Sequence, residues 1–128
     1  MSDAKPVEQR PAKSTTPDTF DAFLRLAELW ELNTDHRLTL LGSPARSTYF
    51  KWRKERGSMS ADTEERISHL LAIFKALQIL FPEPARADAW LRRCNAFFGE
   101  RSALEVMLGG QLADILTVRA YLDAQRGG

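Results

Sequence analysis

Cysteine and histidine are nearly missing from this chain, with one of the first and two of the second among 128 residues. A lone thiol, Cys94, cannot close an internal disulfide, which fits a reducing compartment, and His36 and His69 are too far apart in sequence to begin a metal site of familiar spacing. No run is apolar for long enough to span a membrane, and the N-terminal stretch MSDAKPVEQRPAKSTTPD lacks the apolar centre of a signal peptide. There is no glycine-rich phosphate loop. Catalysis needs a base within reach of a nucleophile or a metal, and Cys94 has no partner that spacing would supply, so a small helical hydrolase lacks its residues. These absences point to a cytoplasmic protein that binds rather than catalyses, with no metal, cofactor or membrane partner.

What is present is an ordinary globular complement, with a hydrophobic fraction of 44% over one domain's length. Its periodicity is helical throughout and no segment alternates as a strand would, so the expected fold is all-α with about seven helices. The net charge of +1 hides a segregation. Residues 1–42 carry five Lys or Arg against seven Asp or Glu, and residues 58–128 carry eight against nine. Residues 43–57 carry Arg46, Lys51, Arg53, Lys54 and Arg56 against Glu55 alone. One short segment therefore holds the positive charge.

Residues 1–16 are polar and punctuated by proline, and are expected to form a mobile tail. Thr16 followed by Pro17 reads as a helix start, and Phe20, Phe23, Leu24, Ala27 and Trp30 then recur at helical spacing as far as Leu32 and Asn33. Thr34 or Asp35 caps a short helix that Gly42 ends, and Ser43 with Pro44 opens a third that runs to about Glu55. Two short helices joined by a glycine turn, the second of them basic, match the helix-turn-helix pattern, so residues 17–57 read as one region. A purely structural helix pair would show the same pattern. On the third helix Ala45, Thr48, Tyr49 and Trp52 share a side and should pack inward. Arg46, Ser47, Phe50, Lys51, Arg53 and Lys54 are left for the outward side, where a serine and long cations suit DNA phosphates and base edges.

Ser60 caps the longest helix, within residues 58–82, whose main stripe is Ile67, Leu70, Leu71, Phe74, Leu77 and Phe81. Ile73, Ile79 and Leu80 make its second half apolar nearly all round. Either the chain wraps this helix or a second copy covers part of it, and the girth favours a homodimer. Beyond Pro82 and Pro84, in residues 83–128, a helix over 85–93 should turn Ala89, Trp90 and Leu91 inward. A polar loop over 92–95 leads to Phe97, Phe98 and Gly99. Ser102 with Glu105 three residues on is a capping box that opens a new helix, and Gly109 and Gly110 stop it. The last helix, over 111–125, carries Leu112, Ile115, Leu116, Val118, Tyr121 and Leu122, then ends in a polar, glycine-tipped run that is expected to fray.

The order Trp90-Leu91, Asn95, Phe98-Gly99, Ser102-Ala103-Leu104-Glu105, with glycine at the helix end, resembles the C-terminal toxin-binding domain of the Xre/MbcA/ParS family of bacterial antitoxins. The run STYFKWRKE resembles the basic helix of their N-terminal Xre-like part. Cys94 and Glu100 depart from the pattern, standing where the family usually has a proline and frequently a second glycine. The resemblance implies an antitoxin that binds operator DNA through its helix-turn-helix and a cognate toxin through residues 83–128. That partner is commonly a RES-domain toxin that destroys NAD, or a related ADP-ribosylating toxin, silenced by occlusion. On this implication Trp90, Arg93, Asn95, Phe98, Gly99, Ser102, Leu104 and Glu105 contact the toxin, while Arg119, Leu122, Asp123 and Arg126 cover its substrate entrance. The residues also leave open a DNA-binding regulator with no toxin, whose C-terminal helices only dimerise.

Overall fold

The computed structural model describes residues 10–55 and 58–127, with the backbone alone described over 10–18. The part of the expected tail before residue 10, the connector residues Arg56 and Gly57, and the tip residue Gly128 lie outside the described residues. The fold is all-α. Among the described residues seven helices follow one another: α1 (Arg10–Leu29), α2 (Thr34–Leu40), α3 (Arg46–Glu55), α4 (Ala61–Leu80), α5 (Pro84–Trp90), α6 (Ala103–Met107) and α7 (Leu112–Gln125). α4 is the axis of the molecule, with α1, α5 and α7 packed along it. Phe20, Phe23, Trp30, Tyr49, Leu70, Leu77, Leu91 and Met107 are fully buried in one continuous core. Each such side chain contributes roughly 1.5–3 kcal/mol by leaving water.

Several boundaries differ from those the sequence suggests. α1 begins at Arg10, so residues 10–16 are helical rather than part of a tail. Extending a helix is easy once a packed face has nucleated it, and Phe20, Phe23 and Trp30 supply that face. The cap of α2 is Asn33 rather than Thr34 or Asp35. Its Oδ1 accepts from the His36 amide at 2.8 Å, and the His36 ring accepts in return from the Asn33 amide at 3.4 Å. α3 starts at Arg46 because Gly42 and Ser43 turn the chain through positive φ of 98° and 61°. Ala45 thereby becomes the residue just outside the helix and is exposed, not inward, while Tyr49 and Trp52 are buried and Thr48 is half-buried.

The expectation for α4 changes most. Its cap is Ser60, whose hydroxyl accepts from the Thr63 amide at 3.1 Å. Ile67, Leu70, Ile73, Ala76 and Leu77 are buried by the chain's own helices, and Leu71, Phe74, Leu80 and Phe81 are half-buried. Of the apolar girth only Ile79 stands open, at 51% exposure. The girth therefore gives no reason by itself for a second copy. At α5 the buried pair is Ala87 and Leu91, the residue that caps its C-terminal end one turn later, which leaves Ala89 exposed and Trp90 half-buried. On α7 the buried line is Ile115, Val118 and Leu122, and Leu116 falls outside it.

A short hairpin, unexpected from the sequence, links α5 to α6. Strand β1 (Cys94–Asn95) pairs antiparallel with β2 (Arg101–Ser102), Cys94 opposite Ser102 and Asn95 opposite Arg101, around a single 3-10 turn, Ala96–Phe98. Ser102 then caps α6 with the expected reciprocal box: its hydroxyl accepts from the Glu105 amide at 3.1 Å, and its own amide donates to Glu105 Oε1 at 2.8 Å.

One buried arginine joins the two halves of the chain. Arg66 of α4 is 8% exposed and donates to Asp62 Oδ2 at 2.9 Å and to the carbonyl of Gly110, between α6 and α7, at 3.0 Å. Gly42, in the turn before α3, sits against this pair, and a Cβ there would meet Asp62 Oδ2 at 2.8 Å. Thr63 donates its hydroxyl to the Leu41 carbonyl at 2.9 Å. The turn that sets α3 and the turn that starts α7 are thus tied to the same stretch of α4.

Candidate functional site

The sequence-expected DNA residues are all on one helix and all open. Arg46, Ser47, Phe50, Lys51, Arg53 and Lys54 are exposed along α3, while Tyr49 and Trp52 anchor its other side edge-on against Phe20 at ring separations of 6.0 and 5.9 Å. The Tyr49 hydroxyl accepts from Arg37 Nη1 at 3.3 Å, which holds α3 to α2. Lys51 and Lys54 carry no ion pair among the described residues. Arg46 pairs with Asp35 at 2.9 Å, but the two side chains are 60% and 84% exposed. Such a pair is weak and readily exchanged for another anion. The Arg53 guanidinium lies 6.0 Å from the Tyr49 ring. Phe50 is 44% exposed and tilts edge-on toward Tyr49. A helix with this face can hold anions along a groove and place one aromatic ring against its partner.

The C-terminal residues named from the sequence divide into three groups. Phe98, Ser102, Leu104 and Leu122 are buried and belong to the core or the cap rather than to a surface. Asn95, Gly99 and Glu105 shape the backbone: Asn95 Oδ1 accepts from the Phe97 amide at 2.8 Å, Gly99 takes the left-handed conformation at φ 70°, and Glu105 closes the α6 box. Trp90, Arg93, Arg119, Asp123 and Arg126 reach the surface at least in part. Arg119 is not free, because it reaches His69 Nδ1 at 2.6 Å and Asp123 at 3.6 Å, and His69 in turn contacts Glu65 at 3.4 Å. The two histidines thus serve a helix cap and an inter-helix contact. Among the described residues no three His, Cys, Asp or Glu side chains group to hold a metal ion, and no helix is long and apolar enough to cross a membrane.

What sequence reasoning missed is the surface around Tyr121. Trp90 stacks on Tyr121 at 6.1 Å with an interplanar angle of 13°, Phe98 supports Tyr121 from within at 5.3 Å, and Phe97 packs on it from outside at 4.7 Å. Phe97 is nonetheless 64% exposed. The adjacent pair Phe97-Phe98 is the one available signal, because a tight 3-10 turn cannot turn two successive side chains inward. Elsewhere, Asp88 lines a cleft with Leu29, Glu31 and Arg92. Its Oδ1 is buried without a hydrogen-bond partner among the described residues, and burial pushes its carboxyl above the usual carboxylate value.

Two family descriptions match the chain. Residues 11–72 match the antitoxin Xre-like helix-turn-helix domain, and residues 76–128 match the antitoxin Xre/MbcA/ParS C-terminal toxin-binding domain. The chain belongs to the Xre/MbcA/ParS antitoxin family. It is also 56% identical over 112 residues to the uncharacterized protein y4oB of Sinorhizobium fredii, covering 88% of this chain and 87% of that one. As a member of the family the chain is the antitoxin of a toxin–antitoxin pair, with a helix-turn-helix for DNA and a domain for its toxin; both are binding domains. The basic face of α3 falls in the first antitoxin domain and the aromatic surface around Tyr121 in the second. The two descriptions meet inside α4, the helix from which Arg66 reaches toward both.

Proposed function

We propose that this antitoxin neutralises a RES-type, NAD-degrading toxin by covering its substrate entrance with the end of α7, and represses its own operon in the cytoplasm through α3. The observation that carries the first half is the form of the end of α7. Leu122 is the last buried residue among those described, and 123–127 project exposed beyond the core, with Arg126 capping the helix. A pocket that takes an anionic dinucleotide is concave and positively charged, and a narrow helix end carrying the exposed carboxylate of Asp123 suits it. Asp123 adds less charge than its sequence suggests because Arg119 shares it. Deleting residues 126–128 removes no buried side chain among those described and leaves α7 whole to Gln125, so the shortened chain should fold and still hold the toxin but no longer protect NAD in a mixed assay. Full protection by the shortened chain would refute the plug.

Repression rests on the open cations of α3, and a homodimer belongs to the same reading, because paired helix-turn-helices read paired half-sites. Leu29, 52% exposed beside half-buried Leu71 and Phe74, offers the second copy a surface. Light scattering at high micromolar concentration should give twice the chain mass. A monomer mass under those conditions would remove the dimer from the reading.

A further inference from the structure

Along α7, Thr117, Ala120, Tyr121, Ala124 and Gln125 recur three and four residues apart and form with Phe97 a shallow groove of about 430 Å³. None of the six is charged. The charges of the same stretch, Arg119, Asp123 and Arg126, follow a separate helical line. Thr117, Ala120, Ala124 and Gln125 are exposed. Small side chains at 120 and 124 let another helix axis come close, toward the low end of the roughly 8–10 Å range of helix packing.

The wall of the groove is held in advance. Phe97 rides on a turn fixed on one side by the Asn95 cap at 2.8 Å and on the other by the left-handed Gly99, and its ring rests 4.7 Å from Tyr121. A ring already in place loses little freedom on binding, so most of the gain from burying it appears as affinity. The most exposed large apolar side chain among the described residues and an uncharged, small-residue helix face therefore adjoin one another.

We infer that this groove is where the toxin docks, and that the occupant is an amphipathic helix of the toxin presenting apolar residues at i, i+3 or i+4, and i+7 to Phe97, Ala120, Tyr121 and Ala124. The inference rests on the reading that residues 76–128 hold a toxin, and the whole groove lies inside the stretch matched to the toxin-binding domain. The absence of charge in the lining selects an apolar partner face rather than a nucleic acid or an acidic peptide. It also separates two roles on one helix: the groove supplies affinity, and the end of α7 supplies the block.

The probe is the product of the open reading frame next to this chain's own, bound to the full-length protein. Phe97→Asp and Ala124→Trp lie on different elements and at exposed positions, so circular dichroism and melting should match the unaltered chain. Each should raise the Kd by about 30-fold or more, the size of an interface hot spot, while Lys75→Ala, on α4, should leave it unchanged. Ala124→Trp is the sharper of the two, since it adds apolar surface and removes only the room for a helix. Wild-type affinity in both variants overturns the groove and leaves the antitoxin reading intact. Loss of binding accompanied by a fall from dimer to monomer in the free protein shows that a second copy occupies the groove, and overturns the inference as well. A probe that degrades NAD yet fails to bind even the unaltered chain overturns the toxin reading together with the inference.

Discussion

Replacing Arg66 with methionine removes a guanidinium while keeping most of the stem that packs within α4, so the effect comes from lost hydrogen bonds more than from a cavity. Two are lost, to Asp62 and to the Gly110 carbonyl. A bond to a charged group contributes about 1.5–3 kcal/mol when its partner cannot return to water. The Asp62 side chain is 54% exposed and can be rehydrated, which reduces its share to the roughly 0.5 kcal/mol of a surface pair. The Gly110 carbonyl, held against α4, keeps more of the full value. The expected loss is therefore about 2–3 kcal/mol, below the 3–5 kcal/mol typical of breaking a fully buried ion pair. That corresponds to a fall of roughly 6–15 °C in Tm for a domain of this size. Arg66→Lys keeps the charge but not the fork, and should lose about half as much. Asp62→Asn, which leaves the Gly110 bond in place, should cost less than about 1 kcal/mol. Urea unfolding followed by circular dichroism measures all three. An Arg66→Met cost no larger than that of Asp62→Asn would show that the link to the Gly110 turn contributes nothing.

Two further outcomes follow from single observations. Lys51→Ala with Lys54→Ala should weaken binding to the operator and reduce the slope of log K against log salt by about 1.8 per protomer, for two phosphate contacts of about 0.9 each, with toxin binding unchanged; an unaltered slope would place the DNA face elsewhere. Burial raises the Asp88 carboxyl above its usual value, so the folded chain holds that proton more tightly than the unfolded chain does, and near neutral pH the charge opposes folding. Asp88→Asn should accordingly raise the urea midpoint at neutral pH, with the gain shrinking as pH falls through the raised carboxyl range and vanishing below the ordinary one; a gain that grows toward acid would contradict the assignment.

Features legible in the sequence were those whose cause lies within about four residues. Ser102 and Glu105 meet because a helix brings the cap and its third residue together, whatever surrounds them. The basic side of α3 was readable because Tyr49 and Trp52 are apolar at helical spacing and the cations fall between them. The hairpin at Cys94 was not readable, since two residues per strand carry no alternation, and its pairing depends on the turn at Ala96–Phe98 returning Arg101 alongside Asn95. Ala89 was misplaced because α5 is only two turns long, and its buried side is chosen by the neighbours that Ala87 and Leu91 meet.

By itself the sequence determined that the chain is helical, that Ser60 and Ser102 cap helices, which short segment is basic, and which family of antitoxins it belongs to. Those properties arise from local backbone hydrogen bonding, side-chain period and residue order. Only the tertiary structure decided whether the apolar girth of α4 is covered, because α1, α5 and α7 reach it from both ends of the chain. It decided as well which of two adjacent phenylalanines faces out. Phe98 and Phe97 have the same chemistry, and Trp90 and Tyr121, which receive one inside and the other outside, come from positions that no local pattern connects.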